Sequence, residues 1–185
     1  MAMNIEELLR PLTYDDLAAY DDPLMRYEII NGELVASPAP ALDHGQVIFR
    51  LVMAFGLAVV RDKLGRLWTA PGDVELGTHN VLQPDMFFVA QSRLEIAKER
   101  IRGVPDLAIE VVSPGSRVKD YVSKRALYES AGVEEYWIVD PMRRTIDVLV
   151  LENGVYVSVD AGDGIARSTV VPGVEIEIFA LFDDL

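Results

Sequence analysis

The sequence predicts a single mixed α/β domain in which helices pack on a twisted central sheet. Three observations carry that expectation. The stretch from Pro105 to Pro141 reads as an apolar strand, a Ser-Pro-Gly break, a helix and a second apolar strand, the composition and size of a βαβ crossover at about 37 residues. Asn-Gly steps at 31–32 and 153–154 sit between short apolar runs, and Asn-Gly is the strongest short hairpin signal because both residues tolerate positive φ. Between the first hairpin and the crossover, Val47, Leu51, Ala54, Phe55, Ala58 and Val59 recur at helical spacing.

Taken in order, Ile5 to Leu9 predicts a short helical turn. Thr13 and Asp16 make a capping-box-like start for a helix ending near Tyr20, before Asp21-Asp22-Pro23. Arg26 to Ile30 and Glu33 to Ala36 predict the first hairpin. A Pro-rich loop, Ser37 to Pro40, leads into the long helix from Leu42 to Lys63, with Gly65 as its stop. Leu67 to Ala70 and Asp73 to Leu76 read as strands around Pro71-Gly72, and Gly77 to Asn80 as a turn. Asp85 opens a strand over Met86 to Ala90. Ser92 to Arg102 is polar, a short helix or loop. The crossover follows as strand Leu107 to Val112, helix Ser116 to Ala131 and strand Glu135 to Val139. Arg144 to Leu151 and Val155 to Val159 make the second hairpin. Ile165 to Val170 and Val174 to Ile178 close the chain around Pro172-Gly173.

Composition sets limits. The 185 residues suit one well-cored domain, 1–185. There is no cysteine, which excludes disulfide frameworks and thiolate metal sites. The longest apolar run, Val47 to Val60, is broken by Arg50 and Gly56 and falls short of the ~18 residues of a membrane span. The first ten residues lack the basic start of a secretory signal, so a cytoplasmic location without a membrane partner is expected. The net charge of −13 argues against broad nucleic-acid binding, which depends on neutralising phosphates. Two basic clusters remain available for a local patch: Arg93, Lys98, Arg100 and Arg102, and Arg117, Lys119, Lys124 and Arg125.

The chemistry concentrates on three residues. Asp85 and Glu110 adjoin apolar runs on two separate strands. A buried carboxylate must be protonated, paired or bound to a cation, and a hard cation such as magnesium needs only one or two of them. Lys124 shares a helix face with Tyr121, Tyr128 and Ala131, a mostly apolar row that looks toward the sheet. An ammonium near a metal-bound carboxylate could position water or stabilise phosphate charge. By spacing alone, Lys124 could equally snorkel past the sheet edge or pair with Asp120 one turn back.

These residues carry a resemblance. Pro84-Asp85, Glu110 to Pro114, Asp120, Lys124, the run Val133 to Pro141, Tyr27-Glu28, Asn31 to Leu34 and His44 resemble the Uma-two family of restriction-endonuclease-like proteins, which have the PD-(D/E)XK nuclease fold. The resemblance spans roughly Arg26 to Pro141. It implies a restriction-endonuclease-like core with added hairpins and a metal-dependent DNA endonuclease that uses Mg2+ or Mn2+. Asp85 and Glu110 then match the metal-binding acids, and Lys124 matches a lysine moved onto the following helix. The ordinary motif places its lysine two residues after the glutamate, where this chain has Val112. Glu28, Glu33 and His44 are implied as supporting residues.

The displaced lysine and the acidic charge leave a second outcome open, a catalytically silent binding or scaffold module of the same fold. A weaker third is a metal-dependent hydrolase acting on something other than nucleic acid. A homodimer or higher oligomer is also expected, because Tyr136-Trp137 and Phe179 to Phe182 offer more apolar surface than one small core needs.

Overall fold

Two main sheets and a two-stranded one divide the strands where the sequence suggested a single sheet. The computed structural model describes residues 10–38 and 41–185; the turn expected over 5–9 and residues 39–40 of the Pro-rich loop lie outside them. Thr13 and Asp16 form the expected capping box, but the helix they start, Tyr14–Ala19, is 3-10 in type. Strands β1 (Met25–Ile30) and β2 (Glu33–Pro38) form the first hairpin, with Asn31 and Gly32 at φ 53° and 79°. Helix α1 (Leu42–Asp62) follows and ends on Lys63, whose left-handed φ of 54° closes it. Gly65, expected to stop the helix, instead opens β3 (Gly65–Thr69). A Cβ there would stand 2.1 Å from the Val89 carbonyl oxygen of the neighbouring strand, so that approach admits only glycine.

The strands around Pro71-Gly72 do not pair with each other. β3 joins β6 (Met86–Ala90), whereas β4 (Val74–Gly77) pairs with β5 (Asn80–Leu82) and with β7 (Ile101–Arg102). The result is a five-stranded sheet in the order β2-β1-β5-β4-β7. The larger sheet continues with β8 (Leu107–Val111), β9 (Glu135–Asp140), β10 (Thr145–Glu152) and β11 (Val155–Val159), in the order β11-β10-β9-β8-β6-β3. β8 and β9 are parallel neighbours, as a crossover requires.

Strand alternation splits the core of the large sheet into two layers. Ile109, Val111, Trp137 and Val139 pack with Val47, Leu51 and Phe55 of α1 and with the C-terminal segment. Ala108, Val112, Tyr136 and Ile138 pack on the other face with Tyr128 and with Ile30 and Leu82 of the small sheet. Tyr136 and Trp137 are fully buried, with Trp137 edge-on to Phe55, so they belong to the core and not to an association surface.

The crossover helix departs from its expected form. A π-helical segment, Lys119–Lys124, precedes α2 (Arg125–Ala131). Four residues fall short of one π turn and overshoot one α turn, so the step from Asp120 to Lys124 and the α-helical step to Tyr128 drift in opposite senses and cancel. Asp120, Lys124 and Tyr128 therefore all face inward and are buried, while Tyr121 swings to the side and donates its hydroxyl to Asp147. At the C-terminus, β12 (Ile165–Arg167) pairs with β13 (Glu175–Glu177) before the short α3 (Ile178–Leu181). Residues 168–170 leave the expected strand because Thr169 and Val170 donate their backbone N–H groups to the buried Glu135 carboxylate.

Candidate active site

The site forms at the end of the large sheet where β6 and β8 meet the first hairpin. On β8, Ala108 and Val112 face the α2 side, so Glu110 between them faces it too. β6 runs antiparallel to β8 with Met86 opposite Ile109, and this register brings Asp85, one step earlier, alongside Glu110. Asp85 Oδ2 accepts the Val111 N–H at 2.8 Å. Its Oδ1 accepts from Arg26 Nη1 of β1 at 2.8 Å.

Lys124 reaches in from the π segment. Its Nζ stands 2.8 Å from Glu110 Oε1 and 2.8 Å from Glu28 Oε1. It neither snorkels nor pairs directly with Asp120, which accepts a hydrogen bond from Ser116 Oγ instead. Tyr128, one turn further on, donates its hydroxyl to Glu110 Oε1 at 2.8 Å. Glu28 is fixed from behind by the Gln83 N–H at 3.0 Å. A cleft of about 520 Å³ opens over this cluster, with Ser37 and Lys119 on its lining; Lys119 Nζ donates to Ser37 Oγ at 2.8 Å and lies 3.9 Å from Glu28.

The structure thus brings together Asp85, Glu110, Lys124, Glu28 and His44. Glu33 stays outside. It is exposed at the start of β2 opposite Ile30 and does not line the cleft, because the tight Asn31-Gly32 turn leaves it at the far end of the hairpin. Arg26 was not anticipated, although strand periodicity places it on the same face as Glu28. The Tyr128 hydroxyl was also missed, since spacing marked that side chain only as an apolar neighbour.

Electrostatics separate the two central acids. Burial pushes the Glu110 carboxyl up to about 8, opposed by Lys124 and reinforced by the nearby charges of Asp85, Asp120 and Glu28. Burial also pushes Asp85 up, but the His44 ring, the Arg26 guanidinium and the Val111 N–H outweigh it and bring the group to about 2. Burial alone would lower the Lys124 ammonium; Glu110 and Glu28 on either side reverse that and hold it charged. Lys124 is one cation shared between two acids, Glu110 and Glu28.

The donor chemistry suits a magnesium-type ion. Asp85 and Glu110 are hard oxygen donors lining one cleft, and the buried His44 ring stands beside them with Nε2 3.3 Å from Asp85 Oδ1. Among the described residues no group of three or more His, Cys, Asp or Glu side chains converges as a preformed cation cage. Magnesium does not require one, because it takes most of its shell from water and substrate oxygens.

Comparison with known proteins places this geometry. Residues 11–179 match the model of the Uma2 family, described as "Putative restriction endonuclease". The chain belongs to that family. Among solved structures, the Uma2 chain is similar to the crystal structure of a putative nuclease from Anabaena variabilis, with a TM-score of 0.78 and 19% identity over 93% of this chain and 98% of that one. At that identity the likeness establishes the fold, a mixed α+β architecture of the restriction-endonuclease-like kind. No curated protein matches the chain. The Uma2 match extends over the first hairpin, the crossover and β12–β13, and therefore over every residue of the cluster.

Proposed function

We propose that this chain is a metal-dependent endonuclease that hydrolyses DNA phosphodiester bonds. The observation that carries the proposal is the Lys124 amine, buried at 2.8 Å from both Glu110 and Glu28 in the cleft that holds Asp85. An acid pair on adjacent strands with a buried ammonium is what phosphodiester hydrolysis needs in order to hold a water and offset phosphate charge.

Asp85 and Glu110 would hold the ion. A magnesium ion bound there supplies Lewis acidity and lowers the pKa of a coordinated water. The protein's own residues do the rest. Lys124, charged and fixed, donates hydrogen bonds toward the Glu110 side of the cleft, where it orients an attacking water or offsets charge on a phosphate oxygen. Tyr128 donates its hydroxyl to the same Glu110 oxygen and holds that carboxyl in place. Arg26 holds Asp85 in one orientation. Lys119, the first residue of the π segment, gives an otherwise acidic chain a cation on the cleft lining, a local answer to the phosphate backbone.

The experiment is titration of magnesium and manganese by calorimetry into the wild type and into Asp85→Ala, alongside cleavage of supercoiled plasmid DNA. The expected result is a metal-binding heat that the substitution abolishes, and nicking that needs the metal. A specific observation keeps the silent module in view: Asp85, Glu110 and Glu28 each already have a cationic partner within the protein or a donor on the backbone. No binding heat from the wild type, and a titration that Asp85→Ala leaves unaltered, would favour that module.

A further inference from the structure

We propose that the outward face of α1 is a self-association surface, packed in solution against the same face of a second copy of this chain about a two-fold axis.

The helix is apolar on both sides. Its inner face, Val47, Leu51 and Phe55, is fully buried against the large sheet. A surface helix in that position should carry charged residues outward. Here the outward line from Leu42 to Val60 runs through Gln46, Phe49, Met53 and Leu57 without a charged side chain. Leu42 is 91% exposed, Phe49 59%, Leu57 65% and Val60 78%. Spacings of four, four and three residues from Phe49 to Val60 align these side chains in a single ridge. A helix hydrophobic all round belongs between two partners, and the fold supplies one.

Two occupants could cover the ridge, a bilayer or another protein surface. The helix is long and apolar enough to cross a membrane by length and composition, but its inner face is part of the core and His44 in its first turn belongs to the cleft. Lying flat on a bilayer calls for free Lys or Arg along the flanks. The flanking arginines are engaged: Arg50 donates to the carbonyls of Ala180, Leu181 and Asp183, and Arg61 pairs with Asp62 at 2.6 Å. Anionic headgroups would also repel a chain of net charge −13.

Charge favours a second copy. Two molecules of −13 repel each other over most of their surfaces, and this uncharged ridge lets them meet without opposing like charges. Area agrees. At roughly 100 Å² of exposed apolar surface for each of five side chains, one copy offers about 500 Å² and a symmetric pair about 1,000 Å², the size at which an interface becomes specific. Two such ridges can run along each other at the shallow crossing of about 20° that keeps contact over the whole helix.

The test uses the full chain. Sedimentation at about 100 µM, above the dissociation constant of a weak specific interface, is expected to give the mass of a dimer, and Leu57→Lys and Phe49→Glu are each expected to give the mass of a monomer with unchanged circular dichroism. Because the chain has no cysteine, a Met53→Cys variant supplies an independent readout: it should form a disulfide-linked dimer on oxidation, whereas Ser130→Cys, on the far face of the sheet, should not. A monomeric wild type, a dimer that survives both charged substitutions, or sedimentation of the wild type with phosphatidylcholine vesicles would each overturn the proposal.

Discussion

Glu110 and Glu135 sit on neighbouring parallel strands and are equally hidden from solvent, yet they are satisfied in opposite ways. Glu135 accepts from Trp137 Nε1 at 2.7 Å, Ser168 Oγ at 2.7 Å, the Thr169 hydroxyl, and the N–H groups of Thr169 and Val170. All of these donors are neutral and none of them is shared with another acid. Glu110 has the Tyr128 hydroxyl and one ammonium, and Glu28 claims the same ammonium. One carboxylate is saturated by dipoles and clasps the C-terminal segment to the sheet. The other is under-compensated, raised in pKa, and opens onto a cleft. A buried acid surrounded by other acids is costly to keep, and that cost separates Glu110, the acid of the proposed reaction, from Glu135, which ties the C-terminal segment to the sheet.

The contrast can be broken most sharply at Lys124. Lys124→Met should lower metal-dependent nuclease activity by roughly 100- to 1,000-fold, the usual cost of removing one preorganised stabiliser of developing charge, as read by single-turnover plasmid cleavage with the fold checked by circular dichroism. Full activity in that variant would remove Lys124 from the mechanism. At the other pole, Glu135→Leu should leave several buried donors without an acceptor and cost about 3 kcal/mol of stability, while the protein that remains folded cleaves at the wild-type rate. Urea unfolding and specific activity measured together test this. A rate loss with no stability loss would reverse the two assignments.

Smaller effects refine the picture. Tyr128→Phe removes a hydrogen bond to Glu110 without emptying its space, and a loss of about tenfold in rate is expected, on the scale of one hydrogen bond to a charged group. The gentlest expectation concerns pH. Burial raises the Asp120 carboxyl to about 6 from its ordinary value of 3.8. Between those values the folded protein keeps a proton that the unfolded chain has released, so the stability contributed by this group is present below about pH 4 and falls as pH rises toward 6. In Asp120→Asn that slope should disappear, as followed by urea midpoints from pH 4 to 7; an identical slope in both proteins would assign it elsewhere.

Much of the site was legible because its parts are local. Asp85 beside an apolar strand, Glu110 inside one, and a lysine on an inward helix row are patterns of period 2 and period 3.6, and those periods follow from backbone geometry alone. The family match over residues 11–179 agrees with the family the motifs pointed to. What the pattern misplaced was whatever depended on a partner distant in sequence. Tyr136 and Trp137, suited by type to an exposed patch, are sealed by Phe55, Tyr128 and Tyr156. Glu33 shared a hairpin with Glu28 but not its end of the sheet.

By itself, then, the sequence determined most of the elements and many of the faces of their side chains, from Thr13 as a cap to the parallel pair of strands around the crossover, because turn chemistry and hydrophobic period act over a few residues. Tertiary structure alone decided that Pro71-Gly72 joins two sheets, that Arg26 would meet Asp85 across 59 positions, and that Glu28 would share the ammonium of Lys124. It also decided that the helix carrying Lys124 would widen into a π turn. These outcomes follow from which charges must be compensated once water is excluded, and that balance exists only after distant strands have closed around the cleft.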